Sequence, residues 1–457
     1  MAGNPAASLI EGRSARGIAE SVEAAVAADL MPAGTVLPPV RQLSADLGVN
    51  ANTVASAYRL LRERGVIETG GRRGSRIRPR SLPSRRTPAA PHHTSTPAAP
   101  PPAAPPPAGP RDLRELRDLS TGCPDPALLP SLEDAAARAA DGSGGEDSAA
   151  SAVRPTMAAD GVPCEAMAVV SGTLDGVERA LAGQLRPGDR VAVEDPGWPQ
   201  LFDLLGAMGL VAVPLRVDAQ GPSPQDLAEA LDAGARAVAV TSRAQNPTGA
   251  SISEARAKEL RAVLAEHPGV MLLEDDYAAG LVDDPLHTLA GATDRWIHVR
   301  SVSKALGPDL RLAVLAGDPG TVERVRARQL ATGTDVSPLL QRAVAELYGD
   351  PAARAGVREA AARYAERRRA LVAALAERGV RAMEGSGLNV WVPVADESAA
   401  FGALLVGRWV VAPGARFRLR SGAAVRVTVA TVGVGEVGAL AEGVARAVSS
   451  SFGSPVV

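Results

Sequence analysis

Apolar residues recur through the first part of the chain with the period of a helix. In RGIAESVEAAVAADL (16–30), Ile18, Val22, Val26 and Leu30 fall four apart and make one stripe. VRQLSADLG predicts a second, short helix with Val40, Leu43 and Leu47 on one face and Gly48 at its end. A third helix is expected to begin at Asn50, a good N-cap, placing Val54, Ala57, Tyr58 and Leu61 at i, i+3, i+4 and i+7. After Gly65 the pattern changes to VIET followed by GGRRGSRIRPR, which predicts a strand, a glycine turn and a basic strand. From Ala166 onward, short apolar runs alternate with helical stretches. AMAVVSG, RVAVEDP, LVAVPLRV, AVAVTS, VMLLEDDY and WIHVRSVS are expected strands, and a helix carries Leu174, Val177 and Leu181. This alternation predicts an α/β layout with a largely parallel sheet.

The two patterned regions are separated by a stretch with no apolar period. Twelve of the residues from Pro79 to Pro110 are proline, so this segment cannot form a core and favours extended chain. The expected organisation is therefore 1–78, a linker at 79–112, and 113–457, the last with a large part at about 113–340 and a smaller part at about 341–457. At 457 residues with 46% hydrophobic content, the chain is long enough for two or three cores. Net charge is −2, but it is unevenly spread: residues 1–110 carry +6 and the remainder −8. A basic module joined to an acidic one suits a chain of which one end meets a polyanion. No run of eighteen apolar residues and no apolar leader are seen, so a cytoplasmic protein without membrane contact is expected. Cys123 and Cys164 lie far apart with no neighbours at ligand spacing, which argues against a disulfide framework and a metal site.

Helix, glycine-containing turn, helix is the arrangement that places the N-terminal residues of the second helix on base edges in the major groove. Asn50, Asn52 and Thr53 hold that place, and Arg72 and Arg73 of the expected wing are suited to phosphates. The run from Ala33 to Ile77 resembles the GntR winged-helix signature. That resemblance implies contact with or approach to a double-stranded DNA operator by Arg41, Asn52, Thr53 and Gly74. Many members of that family carry Arg where this chain has Ala51, which points to a different operator.

Lysine usage opens the chemistry of the second region. The chain has 47 arginines and only two lysines, so a lysine is retained where arginine does not serve. An amine that must lose its proton and condense with an aldehyde is such a case. Lys258, in SEARAKELRAVL, reads as a solvated helix face. Lys304 follows an expected strand and has Ser301, Ser303 and Arg311 nearby in sequence, groups able to bind phosphate. The turn SGTLDG leaves N–H groups free at a helix start, which also favours an anion. Pyridoxal phosphate requires a lysine, an acid for its ring nitrogen, donors for its phosphate and phenolate oxygens, and an aromatic to stack on its ring.

SGT at 171–173, EDPGWP, TSRAQNPTG, EDDY and SVSK with the following Arg311 resemble the motifs of fold-type I aminotransferases in order and approximate spacing. The resemblance implies that Gly172, Thr173, Ser301 and Arg311 hold the phosphate and that Trp198 stacks on the ring. It also implies that Asn246 and Tyr277 donate to the phenolate oxygen, Asp275 pairs with the ring nitrogen, Lys304 forms the internal aldimine, and Arg426 grips a substrate or effector carboxylate.

With the winged helix, these features resemble a MocR-type regulator over about residues 14–78 and 117–447. The fold this implies is an α+β winged helix-turn-helix joined to an α/β fold-type I aminotransferase-like domain. The implied function is a transcriptional regulator that senses pyridoxal phosphate, an amine or an amino acid through an aldimine at Lys304, working as a head-to-tail homodimer. An active aminotransferase with an appended winged helix is the alternative. Relatives carry a tyrosine-bearing segment before the phosphate turn; here it is replaced by DGSGGEDSAASAVRPTMAADGVPC, which has no tyrosine.

Overall fold

The computed structural model describes residues 10–27, 31, 35–63, 66–69, 75–77, 116–141, 147–383 and 385–452. The chain divides into two compact units. The first contains helices α1 (Ala15–Ala27), α2 (Val40–Leu47) and α3 (Ala51–Glu63) and strands β1 (Ile67–Thr69) and β2 (Ser75–Ile77). The strands pair antiparallel, with Ile67 opposite Ile77. The expected stripes meet in one core: Ile18, Val22, Leu43, Val54, Ala57, Tyr58 and Leu61 are buried together with Ile67 and Ile77. Each large side chain removed from water there contributes about 1.5–3 kcal/mol. Gly48 ends α2 in the left-handed region at φ 63°, its N–H returning to Ala45 and Ser44 carbonyls. The Tyr58 hydroxyl, which is buried, donates to the Pro38 carbonyl at 2.7 Å and ties α3 to the chain before α2.

The second unit is built on a sheet of eight strands. These are β4 (Ala166–Val170), β5 (Arg190–Asp195), β6 (Val211–Asp218), β7 (Gly221–Pro222), β8 (Ala235–Thr241), β9 (Met271–Asp275), β10 (Arg295–Ser301) and β11 (Ala313–Gly317), following a short strand β3 (Arg117–Asp118) outside this sheet. Their order is β4-β11-β10-β9-β8-β5-β6-β7. The neighbours β5, β8, β9 and β10 run parallel, whereas β11 is antiparallel to both β10 and β4. The sheet is thus mixed rather than wholly parallel. The reversal follows from the short helix Ser303–Leu306 and Gly307, at φ 132°, which turn the chain straight back beside β10.

Helices pack on this sheet over a continuous apolar core. Among them is α5 (Ser148–Ala159), with α4 (Leu132–Asp141) packed on the helix Pro338–Gly349; α6 (Thr173–Ala182) also lies against the sheet. The C-terminal part forms a second core around a three-stranded sheet of β12 (Asn389–Pro393), β15 (Ala424–Thr428) and β14 (Ala412–Pro413). In addition, β13 (Trp409–Val410) pairs in parallel with β3. No described helix is long and apolar enough to cross a membrane.

Candidate functional site

The strand registers bring the motif residues to one edge of the main sheet. Val170, Ala313 and Ser301 lie in one row across β4, β11 and β10, while Thr241, Asp275 and Val299 lie in another across β8, β9 and β10. The carboxyl ends of β4, β5, β8, β9 and β10 therefore open together, the usual ligand edge of an α/β sheet. Gly172 sits there at φ 102° as the N-cap of α6, with no side chain capping the helix. Thr173, next to it, is buried. Ser301 and Ser303 share a hydroxyl hydrogen bond of 2.9 Å, and Arg311 is exposed.

Val177, Trp198, Leu201, Phe202 and Leu273 line a slot together with Glu194, Thr241, Glu274 and Asp275. Asp275 has a fully enclosed Oδ1 without a hydrogen-bond partner. Burial, followed by the neighbouring negative Asp276, pushes its carboxyl up to about 8. Leaving such an atom without a partner costs about 1–3 kcal/mol, so a protonated ring nitrogen is a fitting complement. The Tyr277 hydroxyl donates to the Ala244 carbonyl. Lys304 Nζ donates to the Gly122 carbonyl at 2.6 Å, and burial, aided by Arg426 and Arg311, lowers its pKa against an opposing pull from Cys123.

Arg426, only 5% exposed, has partners on both terminal nitrogens but none on its buried Nε. Nη1 donates to Asn246 Oδ1 at 2.9 Å, Nη2 donates to the Ser120 carbonyl at 2.5 Å, and the guanidinium lies 4.7 Å from the Phe417 ring centre. The loop before it is fixed by Asp195, which accepts from the backbone of Leu419, Arg420 and Ser421 and from the Ser421 hydroxyl. Burial lowers the Arg426 pKa to about 10.

Two parts of this site are given no role by the sequence. The segment Ser120–Gly122 lays its carbonyls against Arg426 and Lys304. It does so because Gly122 has φ 66°, and a Cβ there would stand 3.0 Å from both Arg426 Nη atoms. Backbone acceptors carry no residue signature beyond that glycine. Glu194, within EDPGWP, is the other: it accepts from Thr241 N, Thr241 Oγ1 and Gln245 Nε2, and burial raises its pKa to about 7.

In the first unit, Arg41, Asn50 and Asn52 are exposed and Thr53 is half-buried at the start of α3. Asn50 serves as a cap: its Oδ1 accepts from Asn52 N at 2.8 Å. Arg72, Arg73 and Gly74, together with the linker, lie outside the described residues.

Two family models divide the chain in the same sense: bacterial regulatory proteins of the gntR family match residues 14–77, and aminotransferase class I and II matches 120–444. Along nearly its whole length the chain is similar to the vitamin B6 salvage pathway transcriptional repressor PtsJ of Salmonella typhimurium, with 36% identity covering 96% of this chain and 100% of that one. This chain belongs to the MocR-type regulators of the gntR family. As a family member it is also similar to the pyridoxine biosynthesis transcriptional regulator PdxR of Corynebacterium glutamicum, at 28% identity over 77% of this chain and 76% of that one. Among solved structures, Pyrococcus horikoshii kynurenine aminotransferase shares the fold, with a TM-score of 0.69 and 20% identity over 74% of this chain and 92% of that one. The MocR-type chain is thus a DNA-binding transcription regulator whose aminotransferase-like domain takes pyridoxal phosphate.

Proposed function

We propose that pyridoxal phosphate is itself the signal, and that the regulator reports cofactor supply to an operator. When bound, the cofactor supplies an aldehyde that an amine captures and a ring nitrogen that a neighbouring carboxylate keeps protonated. In this reading Lys304 is the capturing amine and Asp275 the carboxylate. Trp198 covers the ring face, Asn246 and Tyr277 face the phenolate oxygen, and Gly172, Thr173, Ser301 and Arg311 hold the phosphate. The observation that carries the choice of signal is the buried, unpartnered Oδ1 of Asp275, beside an Arg426 whose Nη1 and Nη2 are already held by Asn246 and the Ser120 carbonyl while its buried Nε has no partner. A carboxylate effector gripped by Arg426 competes with the Ser120 carbonyl and Asn246 Oδ1 for the same guanidinium. The full-length likeness to a vitamin B6 salvage repressor supports the same reading.

On the DNA side, Asn50, Asn52 and Thr53 stand where base edges are read while Arg41, Arg72, Arg73 and Gly74 approach the backbone, in a homodimer located in the cytoplasm. A signal of this kind must bind the dimer's two DNA-affinity states unequally, since equal binding shifts nothing. The test is binding of the full-length protein to DNA from upstream of its own gene, with pyridoxal phosphate alone and with amino acids added. A response to cofactor alone that survives Arg426→Ala is expected; a response that requires both an amino acid and Arg426 would reject cofactor sensing.

A further inference from the structure

Behind Asp275 lies a group of buried charges that contact with the cofactor does not explain. Side chains alternate along a strand, so Glu274 of β9 leaves on the face opposite to Asp275, and Asp276 follows directly after the strand. The register sets His298 of β10 beside Glu274, and Arg300 follows two residues later on the same face. Glu274, Asp276, His298 and Arg300 are each at most 1% exposed. His298 Nδ1 lies 3.1 Å from Glu274 Oε2 and its Nε2 lies 3.6 Å from Asp276 Oδ2. Both acids stand close enough to attract a protonated imidazole, although neither His298 nitrogen makes an aligned hydrogen bond.

Arg300 Nε donates to Asp276 Oδ2 at 2.9 Å, and Arg243 Nε donates to Asp276 Oδ1 at 2.8 Å. Both guanidiniums also reach Asp160, at the end of α5, with N–O distances of 2.5 and 3.0 Å. Glu274 has only neutral donors besides His298: the Ser242 and Thr288 hydroxyls and the Leu289 N–H.

The charges of this group balance only when the imidazole is protonated. Glu274, Asp276 and Asp160 then face His298, Arg243 and Arg300. Burial opposes the imidazolium, but Glu274 and Asp276 overcome it and raise the His298 pKa to about 9. Tyr348, from the helix Pro338–Gly349, and Cys164 stand near the same arginine, and burial raises both, which keeps them neutral. Glu194 faces Asp275 from β5. Without the charge on His298, one uncompensated negative charge would remain directly behind Asp275. That would favour the protonated acid, which is the wrong partner for a cationic ring nitrogen.

We propose that His298 is a positioning residue for the cofactor: its positive charge offsets the acids flanking Asp275, and so lets Asp275 stand as a carboxylate against the ring nitrogen. This rests on the assignment of Asp275 to that nitrogen.

The experiment measures pyridoxal phosphate affinity and the pH profile of the bound cofactor's visible absorbance in the full-length protein. His298→Gln should bind about tenfold more weakly near neutral pH, the equivalent of about one pKa unit at Asp275. The double variant His298→Gln/Glu274→Gln loses one charge of each sign and should regain most of the affinity, an outcome that a packing defect at His298 does not produce. Glu274→Gln alone, which removes an acid flanking Asp275, should bind at least as tightly as the parent, and it carries the test should His298→Gln fail to fold. Parental affinity and absorbance profile in His298→Gln, a double variant weaker than the single one, or weaker binding by Glu274→Gln would each overturn the inference. Asp275→Asn separates the two levels: if it leaves affinity unchanged, the assignment of Asp275 is wrong, whereas a weakened Asp275→Asn beside an unaffected His298→Gln removes only the role of His298.

Discussion

Lys304 and Lys258 illustrate how the same side chain takes opposite roles from its surroundings. Lys304 is held by a backbone carbonyl with its pKa lowered, whereas Lys258 is exposed and pairs with Glu254 one helical turn away at 2.7 Å. After borohydride treatment, mass spectrometry should find the cofactor on Lys304 in the parent and in Lys258→Ala, and on no lysine in Lys304→Ala. A second outcome concerns pH. The pKa of His298 is raised from 6.5 to about 9, so its stabilisation is fully present below about 6.5 and is lost as pH rises through about 9. Thermal melts of cofactor-free protein should show the parent losing more stability than His298→Gln over that interval; parallel curves would contradict the charged imidazole. At this scale the sequence revealed the residues whose type is chemically unusual, above all a lysine in a chain that otherwise uses arginine. It did not reveal Ser120 and Gly122, which act through carbonyls, or His298, Arg300, Arg243 and Asp160, whose pairing depends on strand register and on α5.

Helices of the first unit were legible because period 3.6 and end signals agree: Gly48 terminates α2 and Asn50 caps α3, as their residue types favour. Asn50→Ala should cost about 1 kcal/mol of stability, read from chemical denaturation of the full-length protein. Asn52→Ala, on the exposed start of α3, should instead leave folding almost unchanged and cost about 1–3 kcal/mol on the operator. Equal loss on operator and unrelated DNA would show that Asn52 does not read bases. In the second unit the parallel strands were legible as apolar runs before the motifs. Strand β11 was not, because AVLAG follows the Lys304 turn so closely that it reads as a continuation of that loop, and only the tertiary return beside β10 makes it a reversed strand.

On the scale of the molecule, the chain matches two families that meet in one regulator. The charge of +6 over residues 1–110 against −8 for the rest assigns the polyanion to the first unit, so operator affinity should fall steeply with added salt. Pyridoxal phosphate affinity should fall much less. On the proposed function, occupancy of the Lys304 site by the cofactor is what the operator senses. The most direct measurement is a single titration of cofactor-free protein with pyridoxal phosphate, following bound-cofactor absorbance and operator binding in the same sample. The two curves should coincide in the parent, and the operator response should vanish in Lys304→Ala; an operator response that is unchanged in Lys304→Ala, or that is absent at full occupancy of the parent, would contradict the account.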